Sequence, residues 1–145
     1  MPISSLPSPY GIGTLGKEAF AFVDFLKEAG QSWWQILPVG PTSYGDSPYQ
    51  SFSTYAGNPY FIDLDILAKQ GLLTKEELLE QRDDSKLVNY GWLFGARYKA
   101  LRIAHSRFVA DKEYKRFVKQ NSLWLEDYAL FMALKVHYNY CQWTL

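Results

Sequence analysis

The chain has one cysteine, Cys141, two histidines, His105 and His137, and two methionines. A single cysteine cannot form an internal disulfide, and with only two histidines it supplies no zinc cage. Free cysteine behaves mostly as a small hydrophobe, so Cys141 is expected to be a packing residue. An excess of charge of either sign is also missing: 15 Lys+Arg face 15 Asp+Glu, and the pI is near 6.7. That balance lacks the electrostatic footprint that phosphate backbones or anionic lipid surfaces require, which argues against a nucleic-acid partner. No window holds the roughly 18 apolar residues of a membrane span. The start, Met1-Pro2-Ile3-Ser4-Ser5-Leu6-Pro7, has no basic segment followed by an apolar run, so a cytoplasmic protein without membrane contact is expected. Neither a metal site nor an organic cofactor site is visible.

What is abundant is apolar and aromatic matter, 48% and 17% of 145 residues. That suffices for a sizeable core, but the length falls short of the roughly 250 residues of a closed eight-stranded α/β barrel. The composition changes near residues 40 and 65, giving three zones. In the first, Ala19, Phe22, Val23, Leu26 and Ala29 fall at helical spacing over Lys17 to Ala29, and Gly30 ends the helix. Ser32-Trp33-Trp34-Gln35-Ile36-Leu37-Pro38 then has the pattern of a buried strand of a parallel sheet, so helix and strand make half of an α/β unit.

The second zone, Gly40 to Asp63, holds four tyrosines, Gly40, Gly45 and Gly57, and Pro41, Pro48 and Pro59 without a sustained period. Loops beyond about 12 to 15 residues are usually functional or disordered, and this one is too aromatic for disorder. The third zone is helical. Thr74-Lys75-Glu76-Glu77 fits a capping box opening a short helix to about Asp83. A longer helix is expected from about Tyr90 to Phe108, with Leu93, Ala100, Leu101, Ala104 and Phe108 facing inward. A short helix around Lys112 to Val118 precedes one over Ser122 to Tyr138, where Leu123, Tyr128, Phe131, Met132 and Val136 approximate a core stripe. Residues 1–65 thus form one division, an α/β unit with its long loop, and residues 66–145 a helical one.

Gly11-Ile12-Gly13-Thr14-Leu15-Gly16 matches the dinucleotide fingerprint letter for letter. The fingerprint needs a strand immediately before it, where Pro7 and Pro9 stand, and an acidic residue about 20 positions later, where the sequence has Leu37-Pro38-Val39. Nucleotide binding is therefore rejected, and the glycines are expected to serve a tight entry into the helix.

The loop from Ser43 to Tyr60 interleaves flat aromatic faces with hydroxyl, amide and carboxylate groups, which suits the apolar faces and hydroxyl rim of a pyranose; the other reading is a surface loop packed by its own tyrosines. Asp46 sits in a Gly-Asp-Ser turn, where a carboxylate commonly accepts backbone N–H bonds and is a poor acid. It is expected to organise the turn beside the sugar. Asp63 and Asp65 alternate in Ile62-Asp63-Leu64-Asp65 and are expected on one polar edge.

Ser5-Leu6-Pro7-Ser8-Pro9-Tyr10-Gly11-Ile12-Gly13, Trp34-Gln35-Ile36-Leu37-Pro38, Gly45-Asp46-Ser47-Pro48-Tyr49-Gln50-Ser51-Phe52-Ser53, Gly57-Asn58-Pro59-Tyr60 and Trp124 to Lys135 closely resemble the amylomaltases, the bacterial 4-α-glucanotransferases of glycoside hydrolase family 77. The resemblance runs over nearly the whole chain and covers the N-terminal third or so of a family member. It implies an α/β fold, the N-terminal part of a (β/α)8 TIM barrel with helical insertions, starting inside the first barrel strand and stopping before the catalytic strands. It also implies transfer of α-1,4-glucan segments between malto-oligosaccharides by a retaining mechanism, which uses two carboxyl groups about 5 to 5.5 Å apart. In the family both lie on later strands, so this chain carries no catalytic residue and alone should be inactive; its partner is the missing C-terminal barrel portion.

By the same resemblance, Tyr49 corresponds to the tyrosine that packs on the sugar at the cleavage subsite, with Ser47 and Gln50 as flanking hydrogen-bond partners and Asp46 nearby. Tyr44 matches a tyrosine of a second, peripheral glucan site in some members. Its helix partner there is a tyrosine, where this chain has Phe94, which keeps the stacking face and loses the hydroxyl. The alternative function is a stand-alone α-glucan-binding module without catalysis. A barrel cut after its early strands leaves parallel edges unpaired, which argues against that alternative.

Overall fold

Each segment's backbone hydrogen bonds either close locally or need a partner, and that distinction separates what folds in this chain from what does not. A computed structural model describes residues 1–142. Six α-helices follow one another: α1 Lys17–Glu28, α2 Leu64–Lys69, α3 Lys75–Leu79, α4 Tyr90–Arg107, α5 Lys112–Gln120 and α6 Leu125–His137. Two 3-10 turns, Ile3–Ser5 and Pro59–Phe61, complete the regular structure. The described residues hold two isolated β-bridges, Tyr10 with Asp83 and Thr42 with Ser51, and no strand ladder.

The expected strand over Ser32 to Pro38 is therefore not formed. A parallel strand draws its bonds from neighbours on either side, and the described residues provide none. Trp34 alone is anchored, its ring 4.9 Å from Phe22 and its indole N–H donating to the Met1 carbonyl at 2.7 Å. Trp33 is 92% exposed, and Ile36, Leu37 and Val39 also face water. The apolar side of α1 shares this state: Ala19 is buried, Phe22 and Leu26 are half-buried, and Val23, with Phe20 and Phe25, is exposed.

The helix ends follow local chemistry. At the end of α1, the Gly30 N–H donates to the Lys27 carbonyl and the Gln31 N–H to the Leu26 carbonyl, a Schellman motif. The Thr74 hydroxyl accepts from the Glu77 N–H at 3.3 Å while the Glu77 carboxylate accepts from the Thr74 N–H at 2.8 Å, completing the capping box. Helix α3 stops at Leu79, short of the expected Asp83. The Asp83 N–H instead donates to the Pro9 carbonyl. Helix α2 lies where an alternating edge was expected. Asp63 is its N-cap, accepting from the Ile66 N–H at 3.0 Å, and Asp65 stands in its first turn, so the two carboxylates have different surroundings.

The described chain forms two compact units. The first comprises Met1–Phe52 and Gly57–Phe108. Its core has three clusters: Tyr10, Leu64, Leu73, Ala100 and Ala104; Ile3, Leu6 and Ala19; and Ile12, Tyr60 and Leu93. Helix α4 presents Leu93, Ala100 and Ala104 inward as expected, whereas Leu101 is half-buried and Phe108 is 40% exposed.

The second unit comprises Ser53–Ala56 and the described residues from 109 to 142. Neither α5 nor α6 buries a residue completely, so the expected core stripe of α6 is not a core: Leu123 and Val136 are exposed, and Tyr128, Phe131 and Met132 are half-buried. Two helices of 9 and 13 residues have too little surface to enclose an interior. Cys141, expected to pack, is exposed. No helix among the described residues is long and apolar enough to cross a membrane.

Candidate functional site

The glycine-rich entry to α1 is shaped by close approach. A Cβ on Gly13 would overlap the Ile3 carbonyl, and one on Gly16 would overlap the Asp63 carboxylate. The Asp63 carboxylate is already engaged, accepting from the Thr14 hydroxyl at 2.7 Å while capping α2. Two of the three fingerprint glycines thus admit protein atoms at the positions where a side chain would stand, in keeping with a conformational role.

Beside this entry lies a polar centre that the sequence reading missed. Arg97 is 1% exposed, with Nη1 donating to the Ile62 carbonyl at 2.6 Å and Nη2 to the Tyr10 carbonyl at 3.4 Å. Burial pushes its guanidinium down to about 10, against the pull of Asp63, Tyr10 and Tyr60, so it remains charged at neutral pH. The Tyr10 hydroxyl donates to Asp65 at 2.5 Å, and burial together with that bond raises its phenol well above the ordinary value. Arg97 lies on the Leu93, Ala100 and Ala104 face of α4, so a charge standing on an apolar stripe was the one available sequence signal.

From Ile62 the chain runs back through the Pro59–Phe61 turn, where the Asn58 side chain accepts from the Tyr60 N–H at 2.9 Å, and the Asn58 N–H donates to the Val39 carbonyl at 2.8 Å. That last bond closes the base of the aromatic loop. Toward its tip the loop doubles back, with Thr42 bridged to Ser51. The Asp46 N–H donates to the Ser43 carbonyl, and Asp46 takes the left-handed conformation at φ 54°. Its Oδ1 accepts from the Thr42 hydroxyl at 3.2 Å, so the turn is held by a hydroxyl where backbone N–H donors were expected.

The Ser47 hydroxyl accepts from the Tyr49 N–H at 3.3 Å, and the Gln50 N–H donates to the Ser47 carbonyl at 3.1 Å. Ser47, Tyr49 and Gln50 are therefore gathered in one tight turn, with the Tyr49 ring 76% exposed. A cavity of about 70 Å³ opens beside the loop, lined by Ile12, Thr42, Asp46, Pro48, Asn58 and Tyr90 among others. Burial, reinforced by the Asp46 charge, raises the Tyr90 phenol. Small-molecule sites commonly enclose about 300–1,000 Å³, so the cavity is too small to take up a sugar and the loop offers a surface. Tyr44 is fully exposed and its side chain packs on nothing, while Phe94 lies on α4 with its ring 5.1 Å from Tyr98. The structure therefore brings Ser47, Tyr49 and Gln50 together and leaves Tyr44 and Phe94 apart.

A family model described as 4-alpha-glucanotransferase, for glycoside hydrolase family 77, matches residues 1–145. The 4-alpha-glucanotransferase of Clostridium butyricum is 53% identical over 99% of this chain and 30% of its own length. That of Thermus thermophilus is 47% identical over 97% of this chain and 29% of its own length. Among solved structures, an amylomaltase from Streptococcus agalactiae in complex with acarbose superposes with a TM-score of 0.88 at 44% identity, covering 97% of this chain and 30% of that one. The chain spans about 30% of the length of the relatives it matches.

Proposed function

Because the chain belongs to the 4-alpha-glucanotransferase family, glycoside hydrolase family 77, we propose that it supplies part of the glucan-binding cleft of an enzyme that transfers α-1,4-glucan segments between malto-oligosaccharides. Residues 1–65 are assigned to the first α/β unit of a (β/α)8 barrel with its substrate loop, and residues 66–145 to a helical insertion and following helices. In this reading the exposed side chains of Trp33, Ile36, Leu37 and Val39 are ones that the rest of a barrel would cover.

The observation that carries the reading is the turn at Ser47 to Gln50, whose backbone is closed by two local hydrogen bonds and from which Tyr49 stands exposed. An exposed ring on a closed turn stacks on the apolar face of a glucose without the cost of ordering the backbone beneath it. Ser47, Gln50 and Asp46 supply hydrogen bonds at its rim. Tyr44 and Phe94 are assigned to a second, peripheral glucan contact that stacks but lacks the hydroxyl a tyrosine at position 94 would bring. The transfer chemistry needs a second carboxyl group about 5 to 5.5 Å from the first, and among the described residues that line the cavity Asp46 is the one carboxylate. Binding and catalysis are thus separable.

Isothermal titration of the chain with maltoheptaose should show binding that Tyr49→Ala weakens by about 1 kcal/mol, with no disproportionation of maltotriose. Equal binding by the folded Tyr49→Ala variant would overturn the assignment of Tyr49. Disproportionation by the chain alone would overturn the absence of a catalytic pair.

A further inference from the structure

A stacked pair of aromatic rings stands in the second unit, built from residues outside the loop turn of Tyr49. Tyr55 and Trp124 lie with centroids 5.7 Å apart and planes at 16°, and Tyr128 flanks Trp124 at 6.1 Å. The pair leaves Tyr55 68% exposed, with the neighbouring Leu123 88% exposed.

The backbone that carries Tyr55 and the Trp124 indole are each held by local hydrogen bonds. The Ser53 hydroxyl accepts from the N–H groups of Tyr55 at 3.2 Å and Ala56 at 3.0 Å, and Ala56 is buried. The Trp124 indole N–H donates to the Asn121 side chain at 3.1 Å, and the Trp124 backbone N–H donates to the Asn121 carbonyl. A site held in this way needs less ordering when a ligand arrives.

The surroundings narrow the ligand class. Ser53–Ala56 and residues 121–128 carry two carboxylates, Glu126 and Asp127, and no lysine or arginine. Nothing there would compensate the charge of a phosphate or a nucleotide. Next to these rings in sequence stand the exposed Thr54 and Ser122, which with the Tyr55 hydroxyl are groups that hydrogen-bond a neutral polyol. Resting on the family reading above, we propose that Tyr55 and Trp124 form a separate contact for an α-glucan chain, one glucose ring lying on the open face of Tyr55.

The test is a titration of the 15N-labelled 145-residue chain with maltoheptaose, followed at the Trp124 indole N–H and by saturation transfer from the Tyr55 ring to the sugar. The Trp124 resonance should shift and transfer should be seen. Tyr55→Ala should weaken the binding read at Trp124 about five- to tenfold, while Tyr55→Phe retains it. Tyr49→Ala should leave the Trp124 titration unchanged, so the two readings fail separately: a moving Trp124 with a Tyr49→Ala variant that binds normally elsewhere refutes only the loop assignment. No shift and no transfer in the wild-type chain, or a folded Tyr55→Ala variant with an unchanged Trp124 titration, would overturn the proposal. If Tyr55→Ala does not fold, saturation transfer in the wild-type chain decides.

Discussion

Replacing Arg97 by methionine and by alanine separates two terms that the wild-type side chain combines. Burial lowers the guanidinium from 12.5 to about 10, which corresponds to a cost of roughly 3 kcal/mol for keeping it charged inside the fold. Against this stand two carbonyl acceptors, Ile62 at 2.6 Å and Tyr10 at 3.4 Å, and leaving a buried acceptor unsatisfied costs about 1–3 kcal/mol. The longer Tyr10 bond belongs at the low end of that range. Arg97→Met keeps most of the hydrocarbon volume, forfeits both bonds and abolishes the buried charge, so the terms nearly offset and the variant should lie within about 1–2 kcal/mol of wild type. Arg97→Ala loses the same bonds and leaves a cavity beside Leu93 and Ala100, adding about 2–4 kcal/mol. Urea denaturation of both variants and the wild type, compared at equal m-values, measures the difference. A methionine variant as unstable as the alanine variant would refute the volume term, since both lose the same bonds and charge; a methionine variant more than about 3 kcal/mol below wild type would refute the offset, since the two hydrogen bonds would then far outweigh the cost of the buried charge.

Three other perturbations test separate contacts. Gly16→Ala should destabilise the first unit by about 2–3 kcal/mol, because the new Cβ displaces the Asp63 carboxylate from both its bonds; a melting temperature within a degree of wild type would contradict this. Asp63→Ala should cost about 1–3 kcal/mol through the lost α2 cap and the lost Thr14 acceptor, with Asp63→Asn recovering part of it in the same thermal assay. The paired bonds from Arg107, at 2.6 and 2.7 Å, and the Thr74 N–H hold Glu77 down at about 2. A depressed carboxylate contributes stability that is fully present above its unfolded value near 4.5 and fades as pH falls toward 2. Glu77→Gln should therefore flatten the acid limb of the stability curve between those values, and an unaltered limb would count against the ion pair.

Elements whose hydrogen bonds close within a few residues were legible from sequence. The capping box at Thr74, the stop at Gly30 and the span of α4 follow from chemistry contained in their own windows. The segment from Ser32 to Pro38 has a strand's composition, but a parallel strand exists only through its neighbours, and those are not properties of its window. Helix α2 was hidden because Ile62-Asp63-Leu64-Asp65 alternates like a strand edge, while the Asp63 side chain was capping a six-residue helix. For α6, an apolar stripe states which side seeks cover and not whether cover is available. At the candidate site, the turn that gathers Ser47, Tyr49 and Gln50 agrees with the Gly, Asp, Ser and Pro content of its residues. Arg97 escaped notice because its acceptors are carbonyls 35 and 87 residues away, and carbonyls carry no residue identity to read.

The wide sequence separation of those acceptors also bears on the order of events during synthesis. Tyr10 and Ile62 are made well before Arg97, and until α4 has left the ribosome the entry loop is tied to this region by Thr14 to Asp63, Leu15 to Phe61 and Tyr10 to Asp65, without the buried charge that α4 brings. Contacts of such long range are paid for in loop-closure entropy before they return any stability, which slows the steps that depend on them. The first unit should therefore complete its assembly late, after about a hundred residues have emerged, when the arriving helix adds the Arg97 bonds to Tyr10 and Ile62.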